Sequence, residues 1–397
     1  MPQPAHAHVS SAYAPIGDTV TLHLVATGLL DLLEATRGGA AVGLPYPAPL
    51  QQGLNRLTLS CMYRGVPAPA GVPDLLAWCG QPLGTWPVHL EEGVAGPGDT
   101  LLDGPIPTRL CLELVVDSRD VEAEVWERHL LLDVLDTCRV AGDQAGYVAF
   151  RRTLIERPVL TALEIQQRLA EPALGLLVEQ LRSAYRAAPA ECFLLADLSP
   201  DPREGPARPA GRICHTCHWC GGLLVRLRGG DLRCGEDACH SVHPPRRGRQ
   251  LSERDGVYVL RRELQTFIAA PGRAELRLAA TLGGLGLTVE LWPAIDAYDL
   301  RIVFPSGRVW AVDVKDQASP VLLARRLARR IPPEPAWERG FYVFPKERAR
   351  RTDYLRAFRG QARVLGGTPP IAALMEPEFV ALVRRTLASE RTAQTHA

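Results

Sequence analysis

At 397 residues the chain is long enough for two or three domains with proper cores. Its 45 Lys and Arg against 44 Asp and Glu leave a formal charge of +1, which excludes a protein-wide basic field, so any nucleic-acid partner has to be met by a local patch. The opening MPQPAHAHVSSAYAP has neither a basic start nor an apolar run, and no stretch is apolar for long enough to span a bilayer, so a soluble cytoplasmic protein without a signal peptide is expected.

Thr19 to Glu34 reads as an apolar helix stopped by Gly38 and Gly39. A Pro- and Gly-broken stretch without a clear period follows to Pro107, and Arg109–Val116 is β-rich enough to predict a buried strand. From Val121 the pattern turns helical, with Trp126, Leu130, Leu131, Val134 and Leu135 recurring on one face. Tyr147–Ile155 predicts a second helix and Pro158 interrupts it. Thr161–Tyr185 continues with Leu163, Ile165, Leu169, Leu174, Leu177, Val178 and Leu181. Two short helices around a turn have the outline of a helix-turn-helix, although most such patterns are core packing. Asp197–Ala210, rich in Pro and charge, reads as a linker. The organisation expected is an α+β multidomain chain: a mostly helical region over residues 1–200, a cysteine ribbon over 211–245 and an α/β domain over 250–397.

Five of the ten cysteines crowd into CHTCHWCGGLLVRLRGGDLRCGEDAC, while Cys61, Cys79, Cys111, Cys138 and Cys192 are scattered in apolar surroundings and read as reduced, buried thiols. A metal ribbon needs two knuckles, each offering two thiolates from a tight turn, joined by a hairpin. Cys217-x2-Cys220 followed by Gly221-Gly222 makes the first, since glycine allows the turn after the second thiolate. Leu223–Leu227 and Leu232–Arg233 make the hairpin arms about Gly229-Gly230, and Cys234-x4-Cys239 closes the site. Cys214 with Cys217 is a competing first pair, and His215, His218, His240 or His243 can each replace a thiolate. Four thiolates leave no open position, so a zinc ion here is expected to be structural.

The second chemical constellation lies in GRAELRLAATLGGLGLTVELWPAIDAYDLRIVFPSGRVWAVDVKD. Arg273–Leu285 predicts a helix, Leu287–Leu291 a short strand, Asp299–Phe304 a second strand, Pro305-Ser306-Gly307 a turn and Arg308–Lys315 a third strand. With a three-residue loop Phe304 pairs with Arg308, which sets Asp299 opposite Asp313. Cross-strand partners share a face, and so do residues two apart, so Asp299, Asp313 and Lys315 form one patch. A slip of one residue would send Asp299 to the other face. Two carboxylates able to hold Mg²⁺, with an ammonium beside them, are what phosphodiester hydrolysis needs, and the arrangement is that of a PD-(D/E)XK nuclease. Asp-x-Lys alone is common; here it sits among Val309, Trp310, Val312 and Val314, where charge is costly unless used. The chain has only two lysines, Lys315 and Lys346, and uses Arg elsewhere, which points to a need for a compact ammonium at 315. Asp296 is a rival for Asp299, and Asp316 for Asp313. Glu275 on the preceding helix is a candidate third carboxylate.

Downstream, Pro320–Arg330 predicts a helix carrying Arg325, Arg326, Arg329 and Arg330, and Gly340–Phe344 another strand, followed by Lys346, Arg350 and Arg351. Positive charge gathered beside a metal site is what DNA backbone binding requires; a solvated helix face is the plainer reading.

PGRAELRL, VELWPAIDAYDL and GRVWAVDVKD are together similar to the restriction-endonuclease-like domain associated with pPIWI-RE proteins, the PIWI-related proteins of a bacterial three-gene island. FRRTLIERPVLTALEI and LRSAYRAAPAE, leading into CHWCGGLL, resemble the helical Y domain with its zinc ribbon. The resemblance runs from about Tyr147 to Arg359 and is strongest over Pro271–Asp316. It implies a PD-(D/E)XK core with catalytic Mg²⁺ and structural Zn²⁺. It also implies a role in defence, with a PIWI/Argonaute-like protein and a helicase as partners and DNA as target, including RNA- or DNA-guided R-loops. The family's acids and lysine fall on Asp299, Asp313 and Lys315, with Glu275 as the helical acid. Tyr298 stands where a Pro commonly precedes the first acid. A non-catalytic adaptor on the same fold, or a stand-alone junction resolvase, are the alternative functions.

Overall fold

A computed structural model of the chain describes residues 18–36, 44–118, 125–195, 212–227, 230–236, 239, 246–327 and 330–395. It divides into two units, Met1–Ser118 and Arg119–Ala397. Among the described residues no helix is long and apolar enough to cross a membrane. The linker expected over Asp197–Ala210 lies outside the described residues.

In the first unit, helices α1 (Asp18–Ala35) and α2 (Ala48–Arg64) pack closely because glycines face the contact. A Cβ on Gly28 would fall 2.2 Å from the Leu50 nitrogen, so only glycine fits there. Asp18, at the start of α1, is buried against Arg64 (3.0 Å) and Ser60 (3.1 Å) of α2. Helix α3 (Val72–Cys79) and the hairpin β1 (Leu102–Asp103) to β2 (Ile106–Pro107) lead into α4 (Arg109–Ser118). This last element corrects the strand expected over Arg109–Val116. The Thr108 hydroxyl accepts from the Cys111 amide as a helix cap, and buried Leu110, Cys111, Leu114 and Val115 recur at helical spacing. Arg109 meets Glu113 one turn on, at 3.1 Å. The β-rich composition is overridden by the cap and this period.

The second unit opens with α5 (Val125–Ala141) and α6 (Gln144–Glu156), the latter capped by Asp143, whose carboxylate accepts from Gly146 N. The helical stretch expected over Thr161–Tyr185 forms as α7 (Ala162–Leu169), a 3₁₀ turn (Pro172–Leu177) and α8 (Val178–Ala184), flanked by strands β3 (Val159–Thr161) and β4 (Tyr185–Ala187). Pro158 and Pro172 punctuate it, and Thr161 with Glu164 forms a reciprocal capping box. Then come β5 (Leu194–Leu195), β6 (Arg212–Cys217), β7 (Leu224–Arg226), β8 (Leu232–Cys234), β9 (Arg247–Ser252) and β10 (Val257–Leu260). β10 runs antiparallel between β3 and β4, and β6 between β5 and β9. A π-helical turn (Gln265–Ala269) enters α9 (Ala270–Gly283).

A five-stranded sheet follows: β11 (Thr288–Leu291), β12 (Leu300–Val303), β13 (Val309–Val314), β14 (Arg339–Phe344) and β15 (Ile371–Met375), in that order. The first three are antiparallel neighbours, and the last two join in parallel. The crossovers are α10 (Pro320–Arg326) and α11 (Tyr354–Gln361), and α12 (Glu376–Thr395) ends the chain. Side-chain alternation sorts the sheet into two faces. Leu300, Ile302, Trp310, Val312 and Phe341 pack on α9 and α12, while Ala311, Tyr342 and Phe344 pack on α10 and α11.

Candidate metal centres

The three-residue turn after β12 sets the site. Phe304 N donates to Arg308 O (2.9 Å), Leu300 pairs with Val312 and Val303 with Val309, so the register continues to Asp299 opposite Asp313. Asp299, Asp313 and Lys315 lie on the same face as Ala311, at the end of β13 that leads toward α10. Lys315 Nζ lies 2.5 Å from Asp313 Oδ1, and Asp299 Oδ2 accepts from the Val314 amide at 2.6 Å. Asp299 is 7% exposed. Burial pushes its carboxyl well above the usual carboxylate range, and Glu275 and Asp313 push the same way. Burial works to lower Lys315, but Asp313 and Asp299 more than offset it and its ammonium is held charged. Two hard oxygen donors set side by side by this register could hold a divalent cation of the Mg²⁺ kind, which needs only one or two carboxylates and keeps its waters.

Glu275 sits otherwise than an exposed helical acid. It is 2% exposed, and both its oxygens accept from Arg151 Nη2, at 3.0 Å each; Trp292 Nε1 donates to Oε2 at 2.5 Å. Burial raises its carboxyl in spite of these donors. Among the described residues only the four cysteines bring three or more ligand atoms within 4.8 Å of one another, so Glu275 does not close into one cluster with Asp299 and Asp313. Asp296 is also bound by Arg151, and Asp316 by Arg348 (2.7 Å). Neither rival stands in the Asp299–Asp313 register pair.

The cysteine ribbon forms on Cys217, Cys220, Cys234 and Cys239. Gly221, at φ 72°, turns the first knuckle, and its amide donates to Cys217 O (2.9 Å). Amides of Gly222 and Glu236 point at the sulfurs of Cys220 and Cys234, at 3.4 Å each. β7 pairs with β8, setting Leu224 opposite Cys234. Hydrogen bonding from Cys220 drives the Cys217 thiol far down, and sharing with Cys217 drives Cys234 up, as expected where sulfurs crowd around one ion's place. The set is compatible with a zinc ribbon. Cys214, the alternative ligand, is fully buried in a separate core with Phe193 and Leu251. His215 lies on β6 outside the group, and His240 and His243 lie outside the described residues. The basic run Arg247–Arg249 belongs to β9, with Arg247 opposite Cys217.

The basic residues scatter over several roles. Arg325 and Arg326 end α10, Lys346 and Arg350 are exposed on the 3₁₀ turn after β14, and Arg329 lies outside the described residues. Arg330 donates to the carbonyls of Gly366 and Pro369, both at 2.6 Å, and Arg351 pairs with Asp353 at 3.0 Å.

Sequence reasoning passes over Arg151, Gln144 and Trp292. Nothing local distinguishes Arg151 from Arg152, which forms an exposed pair with Glu156. Only the packing of α6 against α9 and the segment before Asp299 brings it to the acids.

Residues 21–161 match the family model described as pPIWI_RE three-gene island domain Y, a match that runs across the division between the two units. Residues 272–391 match the model described as REase associating with pPIWI_RE. No curated protein and no solved structure matches the chain significantly. The chain is a protein of the pPIWI_RE three-gene island that joins domain Y to the restriction-endonuclease-like domain associated with pPIWI_RE.

Proposed function

We propose that the chain is a Mg²⁺-dependent DNA endonuclease of the PD-(D/E)XK type working in the pPIWI_RE defence system. The observation that carries this reading is the register pairing of Asp299 with Asp313, with Lys315 two residues on and 2.5 Å from Asp313.

Asp299 and Asp313 would hold the cation. A divalent ion held there would supply Lewis-acid polarisation of the phosphate and acidification of water. Lys315, kept charged by its acids, orients the attacking water or the phosphate and stabilises charge that develops there. The Val314 amide fixes one Asp299 oxygen and leaves that carboxylate little freedom to rotate away. The four thiolates would hold a closed structural Zn²⁺. Lys346, Arg350 and the arginines ending α10 are the groups proposed to meet the DNA backbone. Membership of the island makes a PIWI-like protein and a helicase the proposed partners.

Plasmid nicking in Mg²⁺, with the island partners present, tests the reading. Wild type is expected to nick and Asp313→Ala to lose activity; nicking that persists unchanged in the variant would overturn the site assignment and leave a non-catalytic adaptor role.

A further inference from the structure

Arg151 belongs to α6, inside the stretch that matches domain Y, yet its guanidinium lies among the acids of the nuclease-like domain. Nη2 reaches both oxygens of Glu275 (3.0 Å each) and lies 3.5 Å from Asp299 Oδ1. Nη1 binds Asp296 and donates to Tyr147 Oη (3.2 Å). The guanidinium carbon stands 4.7 Å from the centre of the Trp292 ring. The side chain is 11% exposed, so these contacts are made with little water to weaken them.

We propose that Arg151 is a positioning residue of the metal centre: its fork fixes Asp299 and Glu275 from outside the nuclease-like domain, so the centre is complete only with the domain-Y helix in place. This rests on the nuclease reading above.

Three features carry it. Asp299 is held from two sides, Oδ2 by the Val314 amide of its neighbouring strand and Oδ1 facing Arg151. Remove the arginine and one side is lost, while Glu275 and Asp299 repel each other with no cation between them. Second, charge balances. Glu275, Asp296, Asp299 and Asp313 are four acids, Arg151 and Lys315 two cations, and the formal excess of two negative charges equals one divalent ion.

Third, the chain just before Asp299 is strained, and the same helical region clamps it. Trp292, Ala294, Ile295 and Asp296 have φ between 48° and 68°, a left-handed conformation costly for residues with a Cβ. Gln144 Nε2 donates to Trp292 O (2.9 Å), Gln144 Oε1 accepts from Ile295 N (2.7 Å), and Arg139 donates to Ile295 O (3.2 Å). Arg151 completes this clamp through Asp296. A lysine has one ammonium and no flat face, so it cannot serve Asp296, Glu275, Asp299 and the indole at once.

The test titrates Mn²⁺ alone into the zinc-loaded full chain by calorimetry, comparing wild type, Arg151→Ala, Arg151→Lys and Asp313→Asn. Thermal unfolding and zinc content report on the fold. Arg151→Ala is expected to weaken Mn²⁺ binding by about 10–100-fold, the usual range for an outer residue that orients ligands, with Arg151→Lys between it and wild type. In the nicking assay kcat is expected to fall while KM for plasmid stays, because Arg151 is buried. Should Arg151→Ala fail to fold, Arg151→Met with Glu275→Gln removes the guanidinium and its main partner charge together, and a weaker Mn²⁺ affinity is still expected. Affinity equal to or tighter than wild type in the variant that folds would overturn the proposal, tighter binding marking Arg151 as an inhibitory plug. If Asp313→Asn weakens binding and Arg151→Ala does not, only the role of Arg151 fails. If Asp313→Asn has no effect, the nuclease reading fails and the proposal with it.

Discussion

Lys315 shows how much a single side chain can reveal when its surroundings are read with it. In a chain that uses Arg almost everywhere, it sits on a strand end with Asp313 2.5 Å away and Asp299 across the hairpin. Arginine at this position would keep the charge but spread it over a wider plane that the two-residue spacing to Asp313 does not accommodate. Lys315→Arg is therefore expected to lower the nicking rate by about a hundredfold, as loss of a charge-stabilising donor does elsewhere, without lowering the thermal midpoint; a rate near wild type would show that any cation suffices. The register of this patch was legible because Pro305-Ser306-Gly307 allows one short turn, and the turn fixes every pair behind it. Arg151 was illegible for the opposite reason. It lies 124 residues from Glu275, in a helix that carries a second arginine, Arg152, directly beside it.

At the scale of elements, strength of local signal decides what can be read. The cysteine ribbon has glycines at its turn and apolar arms of matching length, and its four-sulfur group forms on Cys217, Cys220, Cys234 and Cys239. Cys214, with the same two-residue spacing, is separated from them because β6 pairs with β9 and turns its side chain into the core beside Leu251. Cys217→Ser is accordingly expected to lose most of its zinc on elemental analysis, and Cys214→Ser to retain one equivalent per chain. Zinc lost from Cys214→Ser and kept in Cys220→Ser would place the knuckle one step earlier, since Cys217 belongs to either pair. Helix α4 failed as a strand prediction because Leu, Cys and Val in close succession suit both states. Only the Thr108 cap and the Arg109–Glu113 spacing separate them. From Thr161 to Tyr185 the outline of two short helices around a turn was legible, and at Pro172 the backbone tightens to a 3₁₀ turn while the apolar period continues.

Across the second unit, the two matched families do not behave as beads on a string. Leu154 and Ile155 of α6 share one core with Trp292 and Ile295, the residues that precede Asp299. A Cβ on Gly272 of α9 would lie 2.3 Å from Ile155 Cδ1, so the helix that carries Glu275 lies directly against the helix that carries Arg151. Strand β10, between the ribbon and α9, is paired on both sides by β3 and β4 from the preceding helical region. The island's nuclease-like domain is thus framed by residues far upstream, a property that composition and spacing within 250–397 do not reveal. The measurement that tests the central claim most directly is divalent-cation stoichiometry at the acid pair. Zinc-loaded full chain titrated with Mn²⁺ is expected to bind one ion per chain, and Asp299→Asn with Asp313→Asn to abolish that binding while leaving the zinc in place. Undiminished Mn²⁺ binding in the double variant would contradict the account.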